Sequence, residues 1–107
     1  MTFYIKQNDT SPAMLATLKD GDGTLIELSG STVRFHMRPL GAATNTVDAA
    51  AAIHNVDAGQ VSYTWSASDT ATTGIFEAEF EVINTDGSVE TFPNSGYISV
   101  EITDDIT

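Results

Sequence analysis

Alternation is the clearest order in this chain. Between residues 31 and 38, Val33, Phe35 and Met37 take one phase while Arg34, His36 and Arg38 take the other. Between residues 75 and 83, Phe76, Ala78, Phe80 and Val82 alternate with Glu77, Glu79 and Glu81. Val61, Tyr63 and Trp65 alternate in the same way with Gln60, Ser62 and Thr64. A period of two marks strands with one buried face. Shorter extended segments are predicted at residues 2–6, 13–19, 24–28, 88–92 and 97–102. Turn chemistry separates them: Asp20-Gly21-Asp22-Gly23, Ser29-Gly30, Pro39, Asp57-Ala58-Gly59, Asn84-Thr85-Asp86-Gly87 and Pro93-Asn94-Ser95-Gly96.

Two stretches carry weaker signals. Residues 45–48 read as a short edge strand. The alanine-rich run from Asp48 to Ile53 has helical propensity but is too short for a stable helix, and its β-rich flanks favour a strand. Residues 66–73 are polar and suit one helical turn capped by Ser66 or Ser68. The acidic tail, residues 103–107, is expected to fray. About eight short strands at ~8–12-residue spacing predict an all-β fold. The expected architecture is an antiparallel immunoglobulin-like β-sandwich of about 7–9 short strands, one domain over residues 1–107. Its core should hold Val33, Phe35, Met37, Val61, Tyr63, Trp65, Phe76, Phe80, Val82, Ile98 and Val100, because a slip of one residue would expose every one of them.

Composition narrows the function more than the fold. The 107 residues include 15 acidic and 4 basic ones, for a net charge of -11. Nucleic acid is not an expected partner, since affinity for it rests on Lys and Arg meeting phosphates. The absence of cysteine excludes disulfides, thiol catalysis and cysteine-based metal centres. The longest apolar run, residues 49–53, cannot span a bilayer, and the opening MTFYIKQND lacks the pattern of a secretory signal. A soluble protein without membrane insertion is the expectation.

Candidate chemistry is sparse. Asp20-Gly21-Asp22-Gly23 resembles the start of a calcium loop, but the twelfth position from Asp20 is Ser31 rather than an acid. A hairpin turn accounts for it better. Glu77, Glu79 and Glu81 share one strand face about 6.5–7 Å apart, a separation that overlaps the carboxylate spacing of inverting glycosidases. Nothing in the sequence supplies the cleft such a pair needs. The simpler expectation pairs that row with Arg34, His36 and Arg38, as third and sixth strands pair in sandwiches of this type. His36 and His54 have no metal-ligand spacing, no Gly-x-Ser-x-Gly elbow occurs, and no glycine-rich loop opens a helix. Trp65 shares its phase with Val61 and Tyr63 and belongs to the core. Neither an enzymatic role nor a cofactor is expected.

Taken together, residues 3–39 (FYIKQNDTSPAMLATLKDGDGTLIELSGSTVRFHMRP) resemble the N-terminal immunoglobulin-like domain of the siphophage baseplate upper protein family. The matching residues are Asp9-Thr10-Ser11-Pro12, Leu18, Asp22-Gly23, Leu28-Ser29-Gly30 and the run from Ser31 to Arg38. Further on, Gly59 to Trp65, Asp69-Thr70, Gly74 to Phe80, and Asp86-Gly87 to Pro93 fit the same family pattern. The likeness extends from about Phe3 to Ile102, and its specificity lies in the order and spacing of ordinary strand-and-turn phrases. Family members are larger and carry this domain at the N-terminus, whereas this chain ends with it, so their adaptor role does not carry over whole.

The resemblance implies a non-enzymatic structural or interaction module of a bacteriophage virion, associated with tail, baseplate or capsid and docking onto other phage structural proteins. It would be made in the host bacterial cytoplasm, monomeric in isolation and present in multiple copies on the particle. Docking by strand addition would use edge segments: Thr2, Phe3, Tyr4, Ile5 and Lys6, or the weak central stretch containing Asn45, Thr46 and Val47. The alternative is a carbohydrate-binding module aiding adhesion to the host surface. Its candidate aromatic residues are Phe3, Tyr4, Phe92 and Tyr97.

Overall fold

A computed structural model describes residues 2–106. It contains eight strands: β1 (Thr2–Lys6), β2 (Met14–Thr17), β3 (Thr32–Pro39), β4 (Val47–Asn55), β5 (Gln60–Tyr63), β6 (Gly74–Ile83), β7 (Val89–Phe92) and β8 (Ile98–Thr103). The strands hydrogen-bond in the order β1-β8-β6-β3-β4-β5-β2, with β7 beside β8 on the same flank of β6. The result is an all-β, nearly closed sandwich. β4 joins its two halves, because Val47 to Ala51 pair with β3 and Ala52 to Asn55 pair with β5.

The alternating segments become strands in the expected phase. Phe76, Ala78, Phe80 and Val82 of β6 are buried, as are Val33, Phe35 and Met37 of β3. Phe35 is the hub of the core. Its ring stacks on Tyr63 at 4.4 Å, meets Trp65 edge-on at 5.5 Å and lies 5.1 Å from Phe80. All eleven predicted core residues are buried, and they are joined by Ile5, Met14, Leu18, Leu28, Val47, Phe92 and Ile102.

Three expectations need correction. The sandwich is not wholly antiparallel, since β1 runs parallel to β8 from the Thr2–Ser99 pair to the Lys6–Thr103 pair. A parallel ladder requires a long crossover, and here everything between the first and last strands serves as that connection. Residues 24–28 form no strand and make only the Lys19–Leu25 bridge. Burial of Leu28 and the bond from Ile26 N–H to Leu18 O at 3.0 Å hold this extended loop instead. The tail is more firmly attached than expected at its start. Thr103 is the last residue of β8 and accepts from Gln7 N–H at 2.7 Å, while Lys6 Nζ donates to Asp104 O at 3.3 Å. Ile106 is fully solvent-exposed, and Met1 and Thr107 lie outside the described residues.

The polar stretch after Trp65 forms a 3-10 turn, Ala67–Thr70, with Ser66 at its N-cap. The Asp69 carboxylate organises it by accepting from Ser66 N–H at 2.9 Å and from the Tyr63 hydroxyl. Burial and that acidic acceptor push the Tyr63 phenol well above its ordinary range. Thr70, wholly buried, donates to Asp9 O at 2.8 Å and accepts from Asn8 N–H at 3.0 Å. The turn thereby fixes the loop leaving β1.

Candidate functional site

The outer face of β3 and β6 carries the charged rows in the expected register. Arg34 lies opposite Glu81, His36 opposite Glu79, and Arg38 opposite Glu77. Only the last of these becomes a side-chain pair, with Arg38 Nε donating to Glu77 Oε1. Arg34 turns instead toward β4, where Nη2 donates to Asp48 Oδ1 at 2.8 Å and to Asp48 O at 3.0 Å. His36 Nε2 lies 3.2 Å from the same carboxylate oxygen. The Arg34 hydrogen bond holds the Asp48 carboxyl below its ordinary pKa, assisted by the charge of Arg34 and by His36. Among the described residues, the Glu79 and Glu81 carboxylates have no ion-pair or hydrogen-bond partner.

Beside Glu79 the face dips into a shallow cavity of about 140 Å³, lined by His36, Arg38, Asn45, Glu77, Glu79 and Tyr97. Tyr97, just ahead of β8, also borders a longer groove of about 670 Å³. The other wall of that groove is β2 with its continuation, including Leu15, Thr17 and Lys19. Phe92 and Ile98 contribute the apolar side beneath Tyr97.

The sequence-predicted edge residues have different fates. β1 is the end of the sheet and pairs on one side only, with β8. Tyr4 and Lys6 project outward, Ile5 is buried, and Phe3 stacks on Trp65 at 5.8 Å. The central candidates are less open. Thr46 is tied to β3 through bonds from its N–H and hydroxyl to Met37 O at 2.7 and 3.1 Å. Val47 is buried, and Asn45 lines the small cavity. The sheet's other end, β2, pairs only with β5 and was not foreseen as an edge. Its signal was Leu15, an apolar residue on the outward phase, which is 48% exposed.

The remaining candidates stay apart. Asp20 Oδ1 accepts from Asp22 N–H at 2.9 Å and Thr24 N–H at 3.0 Å, the work of a turn residue. No group of three or more His, Asp or Glu side chains is placed to hold a metal ion among the described residues. His54 is exposed near the far end of β4. Of the four aromatic residues considered for sugar stacking, Phe92 is buried and Phe3 is covered by Trp65. Tyr4 pairs in register with Glu101, so Tyr97 lies four residues, or about 13 Å, away along the strand direction and one strand over. The buried indole N–H of Trp65 has no hydrogen-bond partner. No helix is long and apolar enough to cross a membrane among the described residues. No protein-family model matches the chain, and no curated protein matches it.

Proposed function

We propose that this protein is a non-enzymatic docking module of a bacteriophage particle, seated on other virion proteins through an open edge of its sheet. The observation that carries this reading is that both ends of the strand order, β1 and β2, pair on one side only. An unpaired edge offers a row of backbone N–H and C=O groups to an extended segment of a neighbour. The family resemblance of residues 3–102 supplies the setting, a phage particle.

The carbohydrate-binding alternative has less support, because its aromatic candidates do not form one surface. The test is the protein content of the particle. Virions purified from cultures in which the gene is expressed should contain the chain in multiple copies per particle by quantitative mass spectrometry. Expression of the chain during infection without its incorporation into mature virions would overturn the proposal.

A further inference from the structure

The chain contains three Asp-Gly dipeptides, and the fold treats them differently. Asp20-Gly21 and Asp22-Gly23 form the turn after β2, and Asp86-Gly87 lies in the turn between β6 and β7. A glycine after aspartate leaves its own nitrogen unshielded and lets the main chain rotate, so that this nitrogen can attack the aspartate Cγ. The attack needs two groups free at once: the aspartate carboxyl and the glycine N–H.

Hydrogen bonds on those two groups rank the dipeptides. At Asp86-Gly87 three must open, since Asp86 Oδ1 accepts from Ser88 N–H at 2.9 Å and the Ser88 hydroxyl at 2.6 Å, and Gly87 N–H donates to Asn84 O at 2.9 Å. At Asp20-Gly21 two must open, because Asp20 Oδ1 accepts from Asp22 N–H at 2.9 Å and Thr24 N–H at 3.0 Å. At Asp22-Gly23 only one is present, from Gly23 N–H to Asp20 O at 3.0 Å. Among the described residues, the Asp22 carboxylate has no hydrogen-bond or ion-pair partner. Asp22 is also exposed, whereas Asp20 is partly buried. The glycines do not separate Asp22 from Asp86, since Gly23 (φ +83°) and Gly87 (φ +87°) share one conformation with nothing within 4 Å of an added Cβ. The Ser88 hydroxyl and N–H hold the Asp86 carboxyl below its ordinary pKa. That makes rarer the neutral acid, the form that can lose its hydroxyl as water.

We propose that Asp22-Gly23 is a site of spontaneous backbone isomerisation, at which Asp22 becomes isoaspartate, while the bonds at Asp86 protect that residue. The Gly23 nitrogen forms a bond to Asp22 Cγ, and its proton and the carboxyl hydroxyl leave together as water, closing a succinimide ring. A water molecule then opens the ring. Breaking the new bond from nitrogen to Cγ restores aspartate, and breaking the original peptide bond gives isoaspartate. Water is lost once and regained once, so mass and charge are unchanged and no oxidant or reductant takes part. The main chain becomes one atom longer, within a turn closed by the bond from Asp20 N–H to Thr24 O at 2.9 Å and by the Lys19–Leu25 bridge. Those contacts lose their register, at the end of the edge strand β2. The inference goes beyond the docking function and does not depend on it.

The test is to incubate the full chain for several weeks in warm neutral buffer, digest it, and locate isoaspartate by electron-transfer fragmentation. Each hydrogen bond on a reacting group lowers the reactive population about two- to tenfold. Conversion should therefore fall in the order Asp22, Asp20, Asp86, with Asp22 ahead of Asp86 by about tenfold or more. In guanidinium chloride, which removes the turns, the three sites should convert at similar rates. Ser88→Ala should raise conversion at Asp86 about two- to tenfold and leave Asp22 unchanged. Asp22→Ser should reduce total isoaspartate to what Asp20 and Asp86 supply. In NMR spectra of the aged chain, new amide resonances should appear for Lys19, Thr24 and Leu25, with the β6–β7 turn unmoved. The inference is overturned by no isoaspartate at Asp22 in the folded chain, by equal or greater conversion at Asp20 or Asp86, or by a ranking that survives unfolding.

Discussion

The Arg38–Glu77 pair offers a quantitative test of the charged face, because its two members are unequally buried. The Arg38 side chain is 46% exposed and that of Glu77 only 13%. Replacing Arg38 with Met keeps most of the aliphatic stem but leaves a mostly buried carboxylate without its charge-assisted bond. An unsatisfied buried polar group costs about 1–3 kcal/mol, and access to water from the adjacent cavity places the expected cost near 1–2 kcal/mol. Glu77→Gln preserves shape and a carbonyl acceptor, and the half-exposed guanidinium recovers its hydration, so its cost should be about 0.5 kcal/mol. Urea unfolding of the wild type, both single variants and the double variant closes a thermodynamic cycle, provided the m-value is shared. The coupling should be about 0.5–1 kcal/mol. Equal costs for the two single variants, or a larger cost for Glu77→Gln, would refute the assignment of the burial asymmetry as the source of the effect.

Other substitutions probe separate parts of the fold. Phe80→Ala removes a fully buried ring in contact with Phe35 and should cost about 3–5 kcal/mol, seen by calorimetry as a Tm lower by about 12 °C or more. Asp48 has a lowered carboxyl pKa in the fold, so its contribution is present above the ordinary value of 3.8 and is lost as pH falls through the lower folded value. Asp48→Asn should therefore be less stable than wild type at neutral pH, with the gap in urea midpoints narrowing as pH falls below 3.8 and the carboxylate of the folded chain is protonated. Gly59 has φ +62°, and an added Cβ would lie 3.1 Å from Leu18 O. Gly59→Ala should cost about 1–3 kcal/mol by denaturant titration, because it strains the backbone where the β4–β5 turn meets the end of β2.

Strands with one polar and one apolar face were legible because burial must follow their two-residue period. In β3 and β6 that period also set the facing rows, with Arg38 opposite Glu77. The choice of Asp48 by Arg34 was not legible, since it depends on β4 lying on the other side of β3. The alanine run of β4 has no strong phase of its own. It pairs with β3 and then β5 because those neighbours need a partner, a tertiary demand that overrides helix propensity. The parallel pairing of β1 and β8 joins residues about as far apart as the chain allows, and no local pattern encodes such a pairing. At the candidate groove, Leu15 and Tyr97 look in sequence like scattered surface apolar residues. They matter because the fold brings an edge strand from one end of the chain beside a turn from the other.

The charge distribution bears on how the two ends of the strand order, β1 and β2, can be used. An unpaired edge ordinarily invites association with another copy of the same protein, and natural sheets guard against this with charge, lysine in particular. Here Lys6 ends β1 and Lys19 follows β2 by two positions, so half of the four basic residues stand at or near the two edges. These lysines break up any continuous apolar edge, while the net charge of -11 makes approach of an identical molecule unfavourable over its whole surface. The same field would favour a basic neighbour over a second copy of the chain and would speed its encounter. Repulsion falls on copies of the chain and attraction on a basic neighbour, although both would meet the same unpaired backbone. Specificity can therefore come from the acidic body of the domain, leaving the edge itself to supply only backbone hydrogen bonds and the apolar contacts beside Leu15 and Tyr97.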